Sequence, residues 1–141
     1  MIVVFDLDGT LANMGHRLPL IRGANKNYDA FFRACVDDTV INPVKQIFRA
    51  LENDGCYIEI WTGRSDMVRG ETAEWLFKHD LSPDRLRMRK HGDRTSDYKL
   101  KESWLLSEPQ KPVLAFEDHM RVVEMWRKHG VQCCQVAPGG F

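Results

Sequence analysis

Short apolar segments alternate along this chain with longer segments in which apolar residues recur at helical spacing. The short segments, which we predict to be strands, span residues 2–5, 57–61, 86–88, 113–116 and 131–136. The predicted helices span residues 43–53, 65–79, 99–106 and 121–129. This alternation is typical of a parallel sheet with helices on both faces. We therefore predict an α/β fold with a Rossmann-like parallel sheet of about five strands.

Residues 12–40 depart from this alternation. They are polar and mixed in composition, apart from an aromatic group formed by Tyr28, Phe31 and Phe32. The segment is too short for an independent domain, whereas the 141 residues together are long enough for one domain with a proper core. We predict a single domain over residues 1–141, in which residues 12–40 form a small cap-like insertion after the first strand.

The overall charge argues against a surface that binds along a nucleic-acid duplex. Lys and Arg together number 20, as do Asp and Glu, so the formal net charge is zero. Such a protein is not expected to follow the backbone of a nucleic-acid duplex, although a small basic patch could recognise one end of a strand. The four cysteines lack zinc-binding spacing, and no apolar run approaches the length of a membrane span. These features predict a cytoplasmic protein with reduced thiols.

The first predicted strand ends in two carboxylates, Asp6 and Asp8, within the sequence DLDGT at positions 6–10. Residues two apart in a strand face the same side, so the two carboxylates start out close together. Like charges in this position repel one another, and burying them without a partner is costly. A cation bound between the two carboxylates would offset both the repulsion and the cost of burial. The pattern therefore indicates a metal-dependent site, and Mg²⁺ is the expected ion because it prefers carboxylate and water oxygens.

Two further predicted strands end in polar residues, Thr62-Gly63-Arg64 and Glu117-Asp118. Ligands of open α/β sheets bind at the carboxyl ends of the strands, where these segments would meet the DLDGT sequence. One carboxylate there could attack phosphorus, and a second could protonate the leaving oxygen. The Thr62 hydroxyl and the N–H groups of Gly63 and Arg64, at a predicted helix start, could bind phosphate. The combination predicts phosphoryl transfer.

DLDGT, TGR, a downstream lysine and a late acidic pair occur here in the order found in the haloacid-dehalogenase-like phosphatases. The chain resembles this family. It is also similar to the 3′-phosphatase half of phage polynucleotide kinase, through VINPV at 40–44, GDR at 92–94, VVEMWRKHGV at 122–131 and QVAPGGF at 135–141. That similarity spans nearly the whole chain.

The resemblance implies a role for each matching residue. The residues that would perform the chemistry are Asp6 as nucleophile, Asp8 as general acid/base, and Arg17, Thr62, Arg64, Asp97 and Lys101 around the phosphate. The Mg²⁺ ligands would be Asp6, Asp8, Glu117 and Asp118. Lys99 is an alternative to Lys101, because a shift of two residues at a helix start would present it instead. Glu117 stands where the relatives usually carry Asp, so its contact with the ion could run through water.

Substrate contacts are expected from Thr62, Gly63, Arg64 and Arg17, and from Arg87 and Arg89 in the basic run RLRMRKHGDR at 85–94. We predict a Mg²⁺-dependent phosphomonoesterase that forms an aspartyl-phosphate and removes 3′-phosphates from DNA or RNA ends, or from nucleotides, in nucleic-acid end repair. The sequence G-x-x-x-x-G-K-[ST] does not occur, so the kinase half of the relative is not expected here. The protein would act in the cytoplasm, which is the host cytosol if it is phage-encoded.

Two alternatives remain at this point. The first is a phosphatase of the same fold that acts on mononucleotides or other small molecules. The second is a phospho-receiver signalling module, which also places an Asp, a Thr and a Lys around Mg²⁺. Asp8 argues against the receiver, because a receiver must keep its acyl phosphate and lacks an acid/base two residues after its nucleophile.

Overall fold

The computed structural model describes residues 1–139, so Gly140 and Phe141, which end the QVAPGGF match, lie outside the described residues. The strands are β1 (Ile2–Phe5), β2 (Ala12–Asn13), β3 (Thr39–Val40), β4 (Tyr57–Ser65), β5 (Arg85–Arg89), β6 (Leu114–Glu117) and β7 (Gln132–Gln135). The α-helices are α1 (Tyr28–Arg33), α2 (Asn42–Asn53), α3 (Arg69–Lys78), α4 (Asp97–Ser107) and α5 (Met120–Lys128). Short 3₁₀ segments cover Gly15–Ile21, Ala34–Asp37 and Asp66–Val68.

The main sheet has five strands in the order β5-β4-β1-β6-β7, and all neighbouring pairs are parallel. The chain winds outward from β1 through β4 to β5, and then returns to the other side of β1 for β6 and β7. The direction of winding therefore reverses between β1 and β6, which is where open α/β sheets bind ligands. The prediction of a Rossmann-like parallel sheet is confirmed.

Helices cover both faces of the sheet, as predicted. Val3 and Phe5 point to one face and belong to a core that includes residues of α2 and α3. Val4, between them, points to the other face and packs with residues of α4 and α5. The uninterrupted apolar run of β1 is explained by this arrangement, because a central strand of such a sheet is buried on both sides. Among the described residues, the helices are too short and too polar to cross a membrane.

The insertion between β1 and α2 is held together at its two ends. Its first and last residues form the antiparallel pair β2–β3, with Ala12 opposite Val40. Between these strands lie the 3₁₀ segment Gly15–Ile21 and helix α1. The short α1 helix starts at the Asn27 cap, whose side chain accepts a hydrogen bond from the N–H of Ala30 at 3.0 Å. The insertion thus leaves the sheet just after Asp8 and returns to it close by.

One boundary differs from the prediction in a way that matters for the site. Strand β4 continues through Ser65, so Thr62-Gly63-Arg64 lie in the strand rather than at the start of a helix. The pairing of β4 with β5 shifts register between Thr62 and Ser65, which accommodates this bulged end. A 3₁₀ turn follows, and α3 begins only at Arg69. The predicted helix start at residue 65 is therefore wrong.

Candidate active site

A cavity of about 840 Å³ opens at the carboxyl ends of β1, β4 and β6. Its floor is formed by residues at the ends of these strands or just after them: Asp6, Asp8, Thr62, Gly63, Glu117 and Asp118. Residues of the 12–40 insertion form one wall, and the loop between β5 and α4 forms another. The three polar strand ends singled out in the sequence thus meet at one place.

Asp6 belongs to a buried acidic group arranged around one lysine. The ammonium of Lys101, 2% exposed, donates to Asp6 Oδ1 at 2.7 Å and to Glu117 Oε2 at 2.8 Å. Asp6, Glu117 and Asp118 each offer a carboxylate oxygen within 4.8 Å of the others. The Thr10 hydroxyl lies 3.2 Å from Asp6 Oδ2 and 3.4 Å from Asp118 Oδ1. This group combines a nucleophile candidate, a cation and a place for a second cation.

The acidic group carries more negative charge than Lys101 neutralises. Burial, and then the charge of Glu117, raises the pKa of Asp6 to about 7, although Lys101 opposes the shift. Burial and the neighbouring Asp6 raise the pKa of Asp118 to about 7. Three carboxylates and one ammonium leave two negative charges, which a divalent cation would balance. The residues present therefore fit Mg²⁺.

The three carboxylates are not equally available to an ion. Glu117 uses Oε2 for Lys101, and its Oε1 accepts from the N–H groups of Asp118 and His119 at 3.1 and 3.2 Å. Asp6 Oδ2 and Asp118 face one another across Thr10. This arrangement favours direct ligation by Asp6 and Asp118, with the longer Glu117 acting through a water molecule or through Lys101.

Gly9 allows Asp118 to approach the DLDGT turn. A Cβ atom at this position would lie 2.2 Å from Asp118 Oδ2, and the backbone has φ +88°. Only glycine meets both demands without strain. The turn that carries Asp6 and Asp8 therefore also makes room for the predicted metal-site aspartate.

Asp8 has a quite different environment, although it lies two residues from Asp6. The guanidinium of Arg64 donates to Asp8 Oδ1 at 2.7 Å, and that of Arg17 donates to the same oxygen at 2.6 Å. Burial opposes the ionisation of Asp8, but the charges of Arg64 and then Arg17 outweigh it, so the pKa of Asp8 is lowered. The carboxylate of Asp8 thus belongs to a group formed with Arg17 and Arg64, here called the arginine group, and not to the acidic group. Its role as a metal ligand stays a prediction.

Asp38 completes the arginine group and was not predicted from the sequence. Its buried carboxylate accepts from Arg17 Nε at 2.9 Å, from Arg17 Nη2 at 2.7 Å and from Arg64 Nη2 at 3.0 Å. His16 Nε2 lies 2.7 Å from Asp38 Oδ1 on the exposed side. Two guanidiniums are thus held between two carboxylates, which fixes the position of Asp8. The burial of Asp38 is a property of the fold, so no local pattern in the sequence could have singled this residue out.

Each residue of the Thr62-Gly63-Arg64 segment, at the bulged end of β4, forms a different hydrogen bond. The Thr62 hydroxyl accepts from the N–H of Arg64 at 3.1 Å, while Arg64 itself reaches Asp8. The carbonyl of Gly63 accepts from Arg89 Nε at 2.8 Å. A Cβ atom on Gly63 would lie 2.4 Å from Asp97 Oδ1, so a larger residue at this position would require the Asp97 carboxylate to move.

The two alternatives for the phosphate lysine differ in position, and which of them binds phosphate stays a prediction. Lys101 is buried against Asp6, whereas Lys99 is exposed, with its ammonium 5.9 Å from the centre of the Tyr98 ring. Asp97 begins α4 and pairs with Arg89, which also donates to the carbonyls of Asp93 and Thr95. The side chain of Arg89 lines the cavity and braces the loop on that wall.

Arg87 does not line the cavity, so its predicted contact with substrate stays a prediction that the geometry does not support. Its guanidinium lies over Trp61 and Trp104, at 5.2 and 5.1 Å from the two ring centres, and pairs with Glu108. These partners belong to the face of the sheet covered by α4. The basic run at 85–94 is therefore not one surface.

The comparisons with known proteins agree with this geometry. The family described as the polynucleotide kinase PNKP phosphatase domain matches residues 1–141. The chain belongs to this family. It is a phosphatase of the haloacid-dehalogenase-like type, and the sequence-based resemblance is confirmed.

Solved structures place the same fold in larger proteins. A chain of the Pnkp1/Rnl/Hen1 complex is 28% identical, with a TM-score of 0.84, and the match covers 99% of this chain and 47% of that one. A chain of the Pnkp1/Rnl/Hen1 RNA repair complex is 27% identical, with a TM-score of 0.83, covering 99% and 43%. The chain thus spans about half the length of these two relatives. A putative phosphatase from Clostridium difficile, 15% identical, shares the fold with a TM-score of 0.69, covering 95% of this chain and 83% of that one.

Proposed function

We propose that this phosphatase removes 3′-phosphates from the ends of polynucleotides, through a phospho-enzyme intermediate on Asp6. The observation that carries the proposal is the pair of opposite environments at the floor of one cavity. Asp6 lies with Lys101 and two further carboxylates, and Asp8 lies with two arginines. Two carboxylates in contrasting surroundings are the usual basis for different roles in one reaction.

In the first step, an oxygen of Asp6 attacks phosphorus, and the bond from phosphorus to the 3′-oxygen breaks. Asp8 gives its proton to the leaving oxygen, which becomes the free 3′-hydroxyl. In the second step, water attacks the phosphorus of the Asp6 acyl phosphate. Asp8 takes a proton from this water, and the bond to Asp6 breaks to release inorganic phosphate. Asp8 is thereby restored to its protonated form.

Positive charge and N–H donors around the transferring group complete the proposed site. Lys101, which donates to Asp6, would balance charge on the phosphoryl oxygens, and the hydroxyl of Thr62, a cavity-lining residue, would donate to one of them. Asp6 and Asp118 would hold Mg²⁺, with Glu117 behind them. When bound, the ion would neutralise the phosphate oxygens beside the nucleophile.

Two lines of support favour a nucleic-acid end as the substrate. The first is the family, whose description names polynucleotide kinase, and the second is a relative of 27% identity that belongs to an RNA repair complex. Zero net charge argues for recognition of the last nucleotides only. We also propose that residues 1–141 act as a single domain, with residues 12–40 as a small cap-like insertion.

One panel of substrates tests the proposal. We would measure Mg²⁺-dependent phosphate release from a 3′-phosphorylated DNA oligonucleotide, its RNA equivalent, a 5′-phosphorylated oligonucleotide, a 3′-mononucleotide, a 5′-mononucleotide and an aryl phosphate. We expect a clear preference for 3′-phosphates, and no turnover by the Asp6→Asn variant. Equal efficiency on 3′- and 5′-phosphates would instead identify a general nucleotidase of the same fold.

A further inference from the structure

The cavity is larger than a phosphate group requires, and its two walls differ in character. At about 840 Å³ it is within the range of cavities that enclose whole small molecules. The wall formed by the insertion is mostly apolar: Met14, Leu18, Ile21, Tyr28, Phe31 and Phe32 line it, together with the charged Lys26 and Asp29. The wall formed by residues 91–96 is polar. The phosphate would occupy only the floor, so the apolar wall faces another part of the substrate.

The three aromatic residues of this wall are not equivalent. Phe31 is buried, and the guanidinium of Arg17 lies 4.4 Å from the centre of its ring, so Phe31 supports the arginine group. Tyr28 and Phe32 are four residues apart in α1 and therefore share one face of the helix. Their ring centres are 6.3 Å apart. Phe32 is partly buried, while Tyr28 is 50% exposed.

An exposed tyrosine at the edge of an apolar wall needs an explanation, because the ring gains little by packing within the protein. A nucleobase would supply the missing contact. Every base has an aromatic face, and stacking on tyrosine or phenylalanine is a common way of binding single-stranded ends without sequence preference. The zero net charge of the chain leaves little long-range attraction to the backbone, which makes a local contact of this kind more important.

We propose that Tyr28 and Phe32 form the surface on which the base of the terminal nucleotide stacks. This inference rests on the proposed function and extends it. It makes the preferred substrate a phosphomonoester that carries a base, rather than any sugar phosphate of suitable size. Phe32 supports the ring of Tyr28 from the protein side, and Tyr28 provides the exposed contact.

The test compares two oligonucleotides that differ only in their last residue. One ends in a nucleoside 3′-phosphate, and the other ends in an abasic sugar 3′-phosphate. For the unaltered protein we expect kcat/KM to favour the base-bearing end by roughly 5- to 150-fold, as base–aromatic stacking implies. Tyr28→Ala should reduce this ratio to near one, mainly by raising KM for the base-bearing end, and Tyr28→Phe should retain it.

Phe77→Ala is the matched control, because Phe77 is also an exposed aromatic residue, at 82%, but lies on α3 outside the cavity. This variant should keep the original ratio. An unchanged ratio in Tyr28→Ala would overturn the proposal, and so would an equal loss on both substrates, which would mean that Tyr28 has only a structural role. A failure of the proposed function would look different: the unaltered protein would then show no preference for 3′- over 5′-phosphates.

Discussion

Replacing Asp38 by Asn tests whether the arginine group is as important as its geometry suggests. Asp38 is 4% exposed, and three hydrogen bonds from Arg17 and Arg64 end on its carboxylate. Asn has the same shape, but it is neutral and presents an amide in place of one oxygen. In the variant, two buried guanidiniums would have Asp8 as their remaining carboxylate in this group, and at least one arginine N–H would face another N–H group.

The expected loss of stability follows from this charge count. Removing one partner of a buried ion pair costs about 3–5 kcal/mol, because an uncompensated charge stays in a site with little water. For a domain of this size, such a loss corresponds to a fall in Tm of roughly 10–20 °C. The backbone carbonyl of Asp38, which accepts from Trp75 Nε1 at 2.9 Å, is unaffected by the substitution. The loss therefore reports on the carboxylate.

Thermal unfolding followed by circular dichroism measures the effect, with Asp37→Asn as the control. Asp37 is the preceding residue and is exposed, so its substitution should change stability by less than about 0.5 kcal/mol. At a temperature where the Asp38→Asn protein is folded, its kcat should fall more for a 3′-phosphorylated oligonucleotide than for an aryl phosphate, because Asp8 would be misplaced as a proton donor. Equal Tm values for the two variants would refute this reasoning.

Three further predictions follow from other parts of the site. Asp8→Asn should lower kcat by about 10²–10⁴ for a 3′-phosphorylated oligonucleotide, and by less for an aryl phosphate, whose leaving group needs no proton. Burial raises the pKa of Asp6 and Asp118 to about 7, so the metal-free folded state binds more protons than the unfolded chain between about pH 4 and 7. The folded state therefore loses stability as the pH rises through that range. Mg²⁺ competes with these protons, so the rise in Tm that it causes should be larger at about pH 8 than at about pH 5.5. Gly63→Ala should displace Asp97 and lower kcat/KM by about tenfold or more, because the Cβ atom of the alanine would lie 2.4 Å from Asp97 Oδ1.

Each of these has a result that contradicts it. An equal loss on both substrates would remove Asp8 from the leaving-group role. A Mg²⁺-induced shift that is the same at both pH values would mean that protons and the ion do not compete for Asp6 and Asp118. Normal activity of Gly63→Ala would show that the position of Asp97 does not matter, with Gly70→Ala as a control on α3, where an added Cβ meets open space.

The fold and the floor of the site were predictable because they follow from local patterns. Four apolar residues before Asp6 mark a central strand, and the strand carries its two carboxylates to the edge of the sheet wherever the rest of the chain goes. Lys101 was predicted from its motif position, and it is buried beside Asp6 whereas Lys99 is exposed. These residues could be predicted because they follow from the spacing of apolar residues and from the order of the motifs along the chain.

The remaining features depend on contacts between distant segments. Asp38 lies 26 residues before Arg64, in an insertion without regular spacing, so nothing local indicates that the two meet. Arg87 and Arg89 lie on the same strand, two residues apart, yet one packs over tryptophans and the other braces the cavity wall. The bulge in β4 decides where Arg64 points, and a break in register is not visible in composition.

The environments of the two aspartates raise one question about the proposed reaction. The pKa of Asp6 is raised, although a nucleophile must be ionised, and the pKa of Asp8 is lowered, although a general acid must hold a proton. The complete site would contain two charged groups that the free protein lacks, a divalent cation and a phosphate dianion. A divalent cation beside Asp6 favours its ionised form, and a phosphate dianion arriving beside Asp8 opposes the arginines and favours its protonated form. Both shifts go in the direction that the proposed roles require. In the free protein, neither aspartate would favour the protonation state that its proposed role requires. Binding of substrate and ion together would bring each aspartate to the protonation state in which it can react.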